Sequence, residues 1–132
     1  MRALVIDDER LARKELINLL NQLETVEVVG EAVNVEDAKE KIDQLQPDVI
    51  FLDIQMPEKT GFDLLEELDQ LPHVIFTTAY DEYALKAFQV NALDYLLKPI
   101  EPKRLEDAVQ KLQGKMEGIA KREGQEGLGS QK

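Results

Sequence analysis

Asp7, Asp8, Asp53, Thr78 and Lys98 are the side chains in this 132-residue chain whose types suit phosphate and hard cations. What they can do depends on whether they meet. Carboxylates sharing one crevice repel, and each resists ionising unless a cation sits among them. A hard divalent ion relieves that repulsion, and Mg²⁺ typically takes one or two carboxylates together with waters and phosphate oxygens. The charges of Asp7, Asp8 and Asp53 are balanced by such an ion plus Lys98, so the group would accept a phosphoryl oxygen only with the metal bound. Competing chemistries are scarce. The chain has no cysteine and a single histidine, His73, which excludes disulfides, thiolate catalysis, thiolate metal sites and multi-His zinc sites, and makes a His-based triad improbable.

Hydrophobic periodicity supplies the elements that must bring these residues together. Apolar runs at Ala3 to Ile6, Val26 to Ala32, Val49 to Leu52, Val74 to Thr77 and Tyr95 to Leu97 read as five short strands. Between them lie helical stripes: Leu16, Leu19, Leu20 and Leu23; Val35, Ala38, Ile42 and Leu45, stopped by Pro47; and Leu64, Leu65, Leu68 and Leu71. A fourth helix is expected around Asp81 to Phe88, where Tyr83, Leu85 and Phe88 do not make one clean face. The fifth carries Leu105, Ala108, Val109, Leu112 and Met116 behind Pro102. Five alternations with continuous apolar strands predict an α/β fold, a parallel sheet covered on both faces. A closed barrel of this kind needs about eight such units. The expectation is therefore a flavodoxin-like doubly wound five-stranded parallel sheet, order 2-1-3-4-5, with five helices.

Ligands of open α/β sheets bind beyond the carboxyl ends of the strands, where the strand order reverses. Strand 1 ends in Asp7-Asp8-Glu9, strand 3 in Asp53, strand 4 in Thr77-Thr78 and strand 5 in Lys98-Pro99. In the expected order, strands 1 and 3 are neighbours, so the carboxylates converge. Each residue also has a plainer role. Asp8 can cap the first helix, Asp53 can form a turn before Met56-Pro57, and Thr78 can satisfy a strand-end backbone group. Tyr95 can be ordinary core packing, and His73, at a strand start on the opposite rim, a surface or capping residue. Coincidence of all four strand ends is much less probable than any one of these.

The net charge of −11 argues against these residues holding nucleic acid or an anionic membrane by themselves. No run approaches the roughly 20 apolar residues of a membrane span, and no signal-peptide pattern opens the chain, so a soluble, cytoplasmic protein is expected. Five of the seven glycines fall in the last twenty residues, where four basic side chains face three acidic ones. The negative charge thus belongs to the rest. The expected division is a folded domain over 1–112, and over 113–132 the end of helix 5 followed by a flexible linker or tail.

Ile6-Asp7-Asp8-Glu9, Asp53-Ile54-Gln55-Met56-Pro57 with Gly61, Thr78-Ala79 and Tyr95-Leu96-Leu97-Lys98-Pro99 together resemble the receiver domain of two-component response regulators, from Met1 to about Leu112. Asp8 to Arg13, and Phe76 to Ala84 on to Leu93-Asp94-Tyr95, are similar to the LytTR-type subgroup, whose members usually carry a C-terminal DNA-binding domain, so a fragment of a longer transcription regulator is expected. The resemblance implies that Asp53 is the phosphoacceptor, served by a histidine kinase or a small acyl phosphate. It implies Mg²⁺ held by Asp8, Asp53 and the Gln55 backbone carbonyl, with Asp7 acting through a bound water. Thr78 and Lys98 would contact phosphoryl oxygens, Tyr95 would follow Thr78, and the Lys98-Pro99 peptide would be cis. Gln55 stands where the family often has Asn, which leaves metal ligation intact and puts its effect on phosphoryl lifetime in question.

The implied output is a switch of the face made by helix 4, strand 5 and helix 5, where Lys86, Ala87, Phe88 and Val90 lie near Asp94, Arg104 and Asp107. Homodimerisation on phosphorylation is expected there, with DNA contacted only through a further domain, and no activity beyond the domain's own Mg²⁺-dependent phosphorylation and dephosphorylation. Other functions fit less well. A phosphatase with an aspartyl nucleophile of the haloacid-dehalogenase pattern wants Asp-x-Asp after strand 1 and a capping insertion. A flavodoxin-like cofactor binder needs a phosphate cradle where Asp7-Asp8-Glu9 would repel one. A pseudo-receiver that binds partners without phosphorylation would not need the intact acidic set.

Overall fold

The structure, a computed structural model, describes residues 1–127, with side chains as far as 118. Strands β1 (Arg2–Ile6), β2 (Glu27–Ala32), β3 (Val49–Asp53), β4 (His73–Thr78) and β5 (Asp94–Leu97) alternate with helices α1 (Arg10–Leu20), α2 (Val35–Leu45), α3 (Gly61–Glu66), α4 (Ala84–Gln89) and α5 (Pro102–Gly127). All pairings are parallel and the sheet order is β2-β1-β3-β4-β5, as expected from the sequence.

Alternation along the strands divides the core in two. Leu4, Ile6, Ile50, Leu52, Val74 and Phe76 point to one face, under Ala38 and Ile42 of α2, Phe62 and Leu64 of α3, and Ala87 of α4. Ala3, Val5, Val49, Phe51, Ile75 and Leu96 point to the other, under Leu16 and Leu20 of α1 and Leu105, Ala108 and Leu112 of α5. β3 is buried along its whole length, and covered on both faces it is apolar from Val49 to Leu52 before ending in Asp53. Among the described residues, no helix is long and apolar enough to cross a membrane.

Local signals set the helix boundaries. Asn34 caps α2 by accepting from the Asp37 N–H at 2.8 Å, and Thr60 and Asp63 form a reciprocal capping box at α3. The Leu64 to Leu71 stripe does not remain helical. α3 ends at Glu66, Leu68 still packs against the core, and Leu71 is exposed. Pro72 disfavours helix at the preceding residue, and β4 must begin at His73, so the chain has to turn back within a few residues. α4 spans only six residues and starts later than expected. Ala87, expected on an output surface, is buried against the sheet, while Leu85 and Phe88 are exposed.

α5 continues beyond the stripe that ends at Met116, through Gly127, into the stretch expected to be a flexible tail. Gln, Lys and Glu are good helix formers, and their propensity offsets the cost of the interspersed glycines. The remainder of the expected tail, 128–132, lies outside the described residues.

Gly61 opens α3 where the chain passes closest to the end of β3. A Cβ there would lie 2.6 Å from the Asp53 carbonyl oxygen and 3.3 Å from the Ile54 Cα. Both are backbone atoms of a buried strand end, and neither can move aside cheaply. Gly61→Ala is therefore expected to lower stability by about 1 to 3 kcal/mol, read from urea denaturation of both proteins. An unchanged midpoint would show that the strand end yields.

Candidate functional site

The parallel β1–β3 register pairs Ile6 with Leu52, so the next residues, Asp7 and Asp53, leave the sheet side by side. Asp8 follows Asp7 directly. One carboxylate oxygen from each of these three residues lies within 4.8 Å of the others, with Asp7 and Asp53 buried and Asp8 exposed. Asp8 does not cap α1: Glu9 stands at the N-cap and makes no side-chain cap bond. Instead the Glu9 N–H donates to Asp7 Oδ1 at 2.9 Å. Asp7 is held further from below, because the Arg13 guanidinium donates to its backbone carbonyl at 2.8 Å and to Glu31 at 2.8 Å.

Lys98 supplies the opposing charge from β5. Its Nζ is 2.7 Å from Asp7 Oδ2 and 3.5 Å from Asp53 Oδ2. Burial works to lower the Lys98 pKa, but the Asp7 hydrogen bond and both carboxylate charges outweigh it and hold the ammonium above its ordinary value. Asp53 responds in the opposite sense. Burial and then the Asp7 charge push its carboxyl up to about 7, only partly opposed by Lys98 and by the Gln55 N–H, which donates to Asp53 Oδ1 at 3.4 Å. Three carboxylates thus share one ammonium. A cluster so under-neutralised, with one carboxylate open to solvent, fits a hard divalent cation with oxygen ligands.

The remaining expected residues surround this centre. Thr78 is fully buried at the end of β4, and its hydroxyl accepts from the Tyr80 N–H at 3.2 Å. Lys98 follows β5 with its N–H bonded to the Thr78 carbonyl at 2.7 Å, and the Lys98-Pro99 peptide is cis. Tyr95 stands apart from the carboxylates, on β5, with its hydroxyl donating to the Tyr80 carbonyl. Gln55 sits beside Asp53, and its side-chain amide donates to the Tyr83 hydroxyl at 2.6 Å. His73 opens β4 at the opposite rim.

Arg13, Tyr80 and Tyr83 were not apparent from the strand ends. Arg13 lies within a helix and reads as a solvated charge. The tyrosines left one trace: all three in the chain, Tyr80, Tyr83 and Tyr95, fall within sixteen consecutive residues after β4 begins its exit from the sheet.

A family model described as the response regulator receiver domain matches residues 3–110. The chain is 47% identical over 114 residues to the sensory transduction protein LytT of Bacillus cereus, covering 84% of this chain and 46% of that protein. It is 48% identical over 114 residues to the transcriptional regulatory protein BtsR of Salmonella typhi, covering 85% of this chain and 48% of the relative. The chain therefore spans about half the length of these relatives. Among solved structures, the response regulatory domain of protein mrkE from Klebsiella pneumoniae superposes with a TM-score of 0.81 at 35% identity, over 89% of this chain and 99% of that one.

The acidic cluster has a pH signature. A carboxyl that keeps its proton up to about 7 when folded, against an ordinary 3.8, adds stability below the ordinary value, and that stability is lost as pH rises through 7. With divalent ions chelated, Asp53→Asn is expected to unfold at higher urea than the parent at pH 8, by on the order of 1 to 3 kcal/mol, and the difference should vanish near pH 4. Equal stabilities at pH 8 would show that the cluster is not strained by its own charge.

Proposed function

From the premise that this chain belongs to the response regulator receiver family, we propose that Asp53 accepts a phosphoryl group and that the domain relays this to an output through the α4–β5–α5 face. The observation that carries the reading is the meeting of Asp7, Asp8, Asp53 and Lys98 at the carboxyl ends of β1, β3 and β5. A nucleophilic carboxylate needs neutralising charge around the incoming phosphoryl oxygens, and this arrangement offers it.

An Asp53 carboxylate oxygen attacks phosphorus. The O–P bond forms as the bond from phosphorus to the donor breaks, and the electron pair leaves with the donor, a phosphohistidine of a sensor kinase or a small acyl phosphate. Mg²⁺ would be held by Asp8, Asp53 and the Gln55 backbone carbonyl, with Asp7 acting through a water, and would supply neutralising charge to the phosphoryl oxygens. Lys98 exchanges part of its contact with Asp7 and Asp53 for a phosphoryl oxygen. Thr78 donates its hydroxyl proton to another oxygen, which leaves its lone pairs free to keep accepting from the Tyr80 N–H. Burial of Asp53 and Thr78 excludes most water from the reacting centre. The same groups govern hydrolysis, so the domain promotes its own phosphorylation and dephosphorylation and no other reaction.

Acyl phosphate formation places more negative charge beside β4, drawing Thr78 and Lys98 inward and biasing the α4–β5–α5 face. Tyr95 follows Thr78 through the Tyr80 segment. Leu85, Phe88 and Leu97 give that face an exposed apolar component. Its charges are partly spent within the chain: Arg104 grips Asp94 through two nitrogens at 2.7 and 3.0 Å, and Lys111 reaches the same carboxylate at 3.4 Å. Burial works to raise the Asp94 pKa, but the Arg104 hydrogen bond, the Tyr95 N–H and the charges of Arg104 and Lys111 together outweigh it and hold the carboxyl below its ordinary value. The output we infer is homodimerisation of a cytoplasmic transcription regulator, with DNA contacted by a domain outside 1–112 and with 113–132 leading toward it.

Incubation with Mg²⁺ and acetyl phosphate, followed by intact mass and sizing, tests the reading. One phosphoryl group is expected on the parent chain and none on Asp53→Asn, with a shift toward dimer in the labelled sample alone. An unlabelled parent with Mg²⁺ demonstrably bound, or equal labelling of the variant, would overturn the assignment of Asp53.

A further inference from the structure

The Gln55 side chain takes no part in the charge chemistry of the site, yet it is anchored. Its Nε2 donates to the Tyr83 hydroxyl at 2.6 Å. Gln55 lies two residues beyond Asp53, and its own N–H donates to the Asp53 carboxylate. Tyr83 is the N-cap of α4, and its carbonyl accepts the first helical bond, from the Ala87 N–H at 2.9 Å. A single side-chain bond therefore connects the loop that follows Asp53 to the first turn of α4.

The bond is solvent-exposed, and packing holds its Tyr83 end. The Tyr83 ring packs against Phe62 at 6.2 Å between centroids and meets Tyr80 edge-on at 6.4 Å. Lys86, in the next turn, holds its ammonium 4.5 Å over the Phe62 ring. From the other side, the Tyr95 hydroxyl donates to the Tyr80 carbonyl. The Tyr80 to Tyr83 segment is thus gripped by Gln55 from the β3–α3 loop and by Tyr95 from β5. Within α4 itself only Ala87 is buried, so little else secures the start of the helix. The segment also begins directly after Thr78, whose hydroxyl holds the Tyr80 N–H. A movement of Thr78 toward Asp53 would therefore act on the segment that leads to Tyr83.

Resting on the reading of Asp53 as phosphoacceptor, we propose that the Gln55–Tyr83 hydrogen bond is a latch that ties the acceptor loop to α4 in the unphosphorylated protein and opens on phosphorylation. Tyr83 is then a positioning residue for the output helix. Gln55 is the partner because of its length: Asn at the same place has the same amide but is one methylene shorter and falls short of the hydroxyl.

Hydrogen exchange on the full chain tests this with Tyr83→Phe, Gln55→Asn and the double variant, each with and without Mg²⁺ and acetyl phosphate. Tyr83→Phe keeps the ring and its aromatic contacts, and Gln55→Asn keeps the amide. Without phosphodonor, the amides of 87–90 should exchange about three- to tenfold faster in either single variant than in the parent, as expected for one lost hydrogen bond. The double variant should be no faster than the singles. On phosphorylation, the parent should rise to the variants' level, while the variants change little further.

Parent-like exchange in either single variant, or additive effects in the double, would overturn the latch. So would a labelled parent whose α4 exchange does not change. Intact mass of the same samples separates the two ideas: an unlabelled parent removes the phosphoacceptor reading and the opening step with it, whereas the unphosphorylated comparison judges the Gln55–Tyr83 link by itself.

Discussion

The structure depends on keeping three carboxylates together that would separate if they could. Backbone holds them there. β1 and β3 are hydrogen-bonded neighbours buried on both faces, so Asp7 and Asp53 cannot withdraw without disturbing the centre of the sheet. The neutralising ammonium comes from farther off. β5 is two strands from β3, with β4 between, and strands lie about 4.8 Å apart. Only a long side chain spans that distance, and Lys98 does so over a strand end occupied by Thr77 and Thr78, which are small. A Lys at β5 and small residues at the end of β4 are therefore one requirement expressed at two places in the sequence.

Rigidity is unevenly distributed around this centre. On one face of the sheet, α1 and α5 bury regular stripes of leucine, alanine and valine. On the other, α2 buries Val35, Ala38 and Ile42 and α3 buries Phe62, Leu64 and Leu65, whereas α4 contributes one buried alanine and leaves Leu85 and Phe88 in solvent. Helices with few buried apolar contacts open at low free-energy cost. The carboxylates thus sit on the most stable part of the fold and beside its least stable helix. A change of charge at Asp53 finds one neighbour that can respond.

The sheet order and the location of the site were legible because both follow from one-dimensional patterns. Continuous apolar runs mark strands buried on both faces, and polar residues immediately after them must emerge at one rim. Asp7, Asp8, Asp53 and Lys98 were found in this way, and the structure brings them together. The end of α3 was less legible, since Leu68 and Leu71 continue a helical period that Pro72 and the start of β4 override. Ala87 was assigned to the surface because an alanine carries no directional signal of its own. The bond between Gln55 and Tyr83 had no signature at all: the two residues are 28 positions apart, and each has an ordinary local explanation.

The position of Lys98 bears on how a local charge becomes a movement. Its ammonium is closer to Asp7 than to Asp53, at 2.7 against 3.5 Å, so β5 is tied chiefly to β1 across the top of the sheet. Phosphorylation of Asp53, as proposed, would replace one negative charge by nearly two and move it outward from the strand end. The balance of attraction on Lys98 would then tilt from Asp7 toward β3. Lys98 is bonded through its own N–H to Thr78, and Thr78 through its hydroxyl to Tyr80, so the ammonium, the threonine and the first residues before α4 are mechanically connected. Each link is worth only about 1 kcal/mol, but a helix held by few contacts needs no more than that to change its population several-fold.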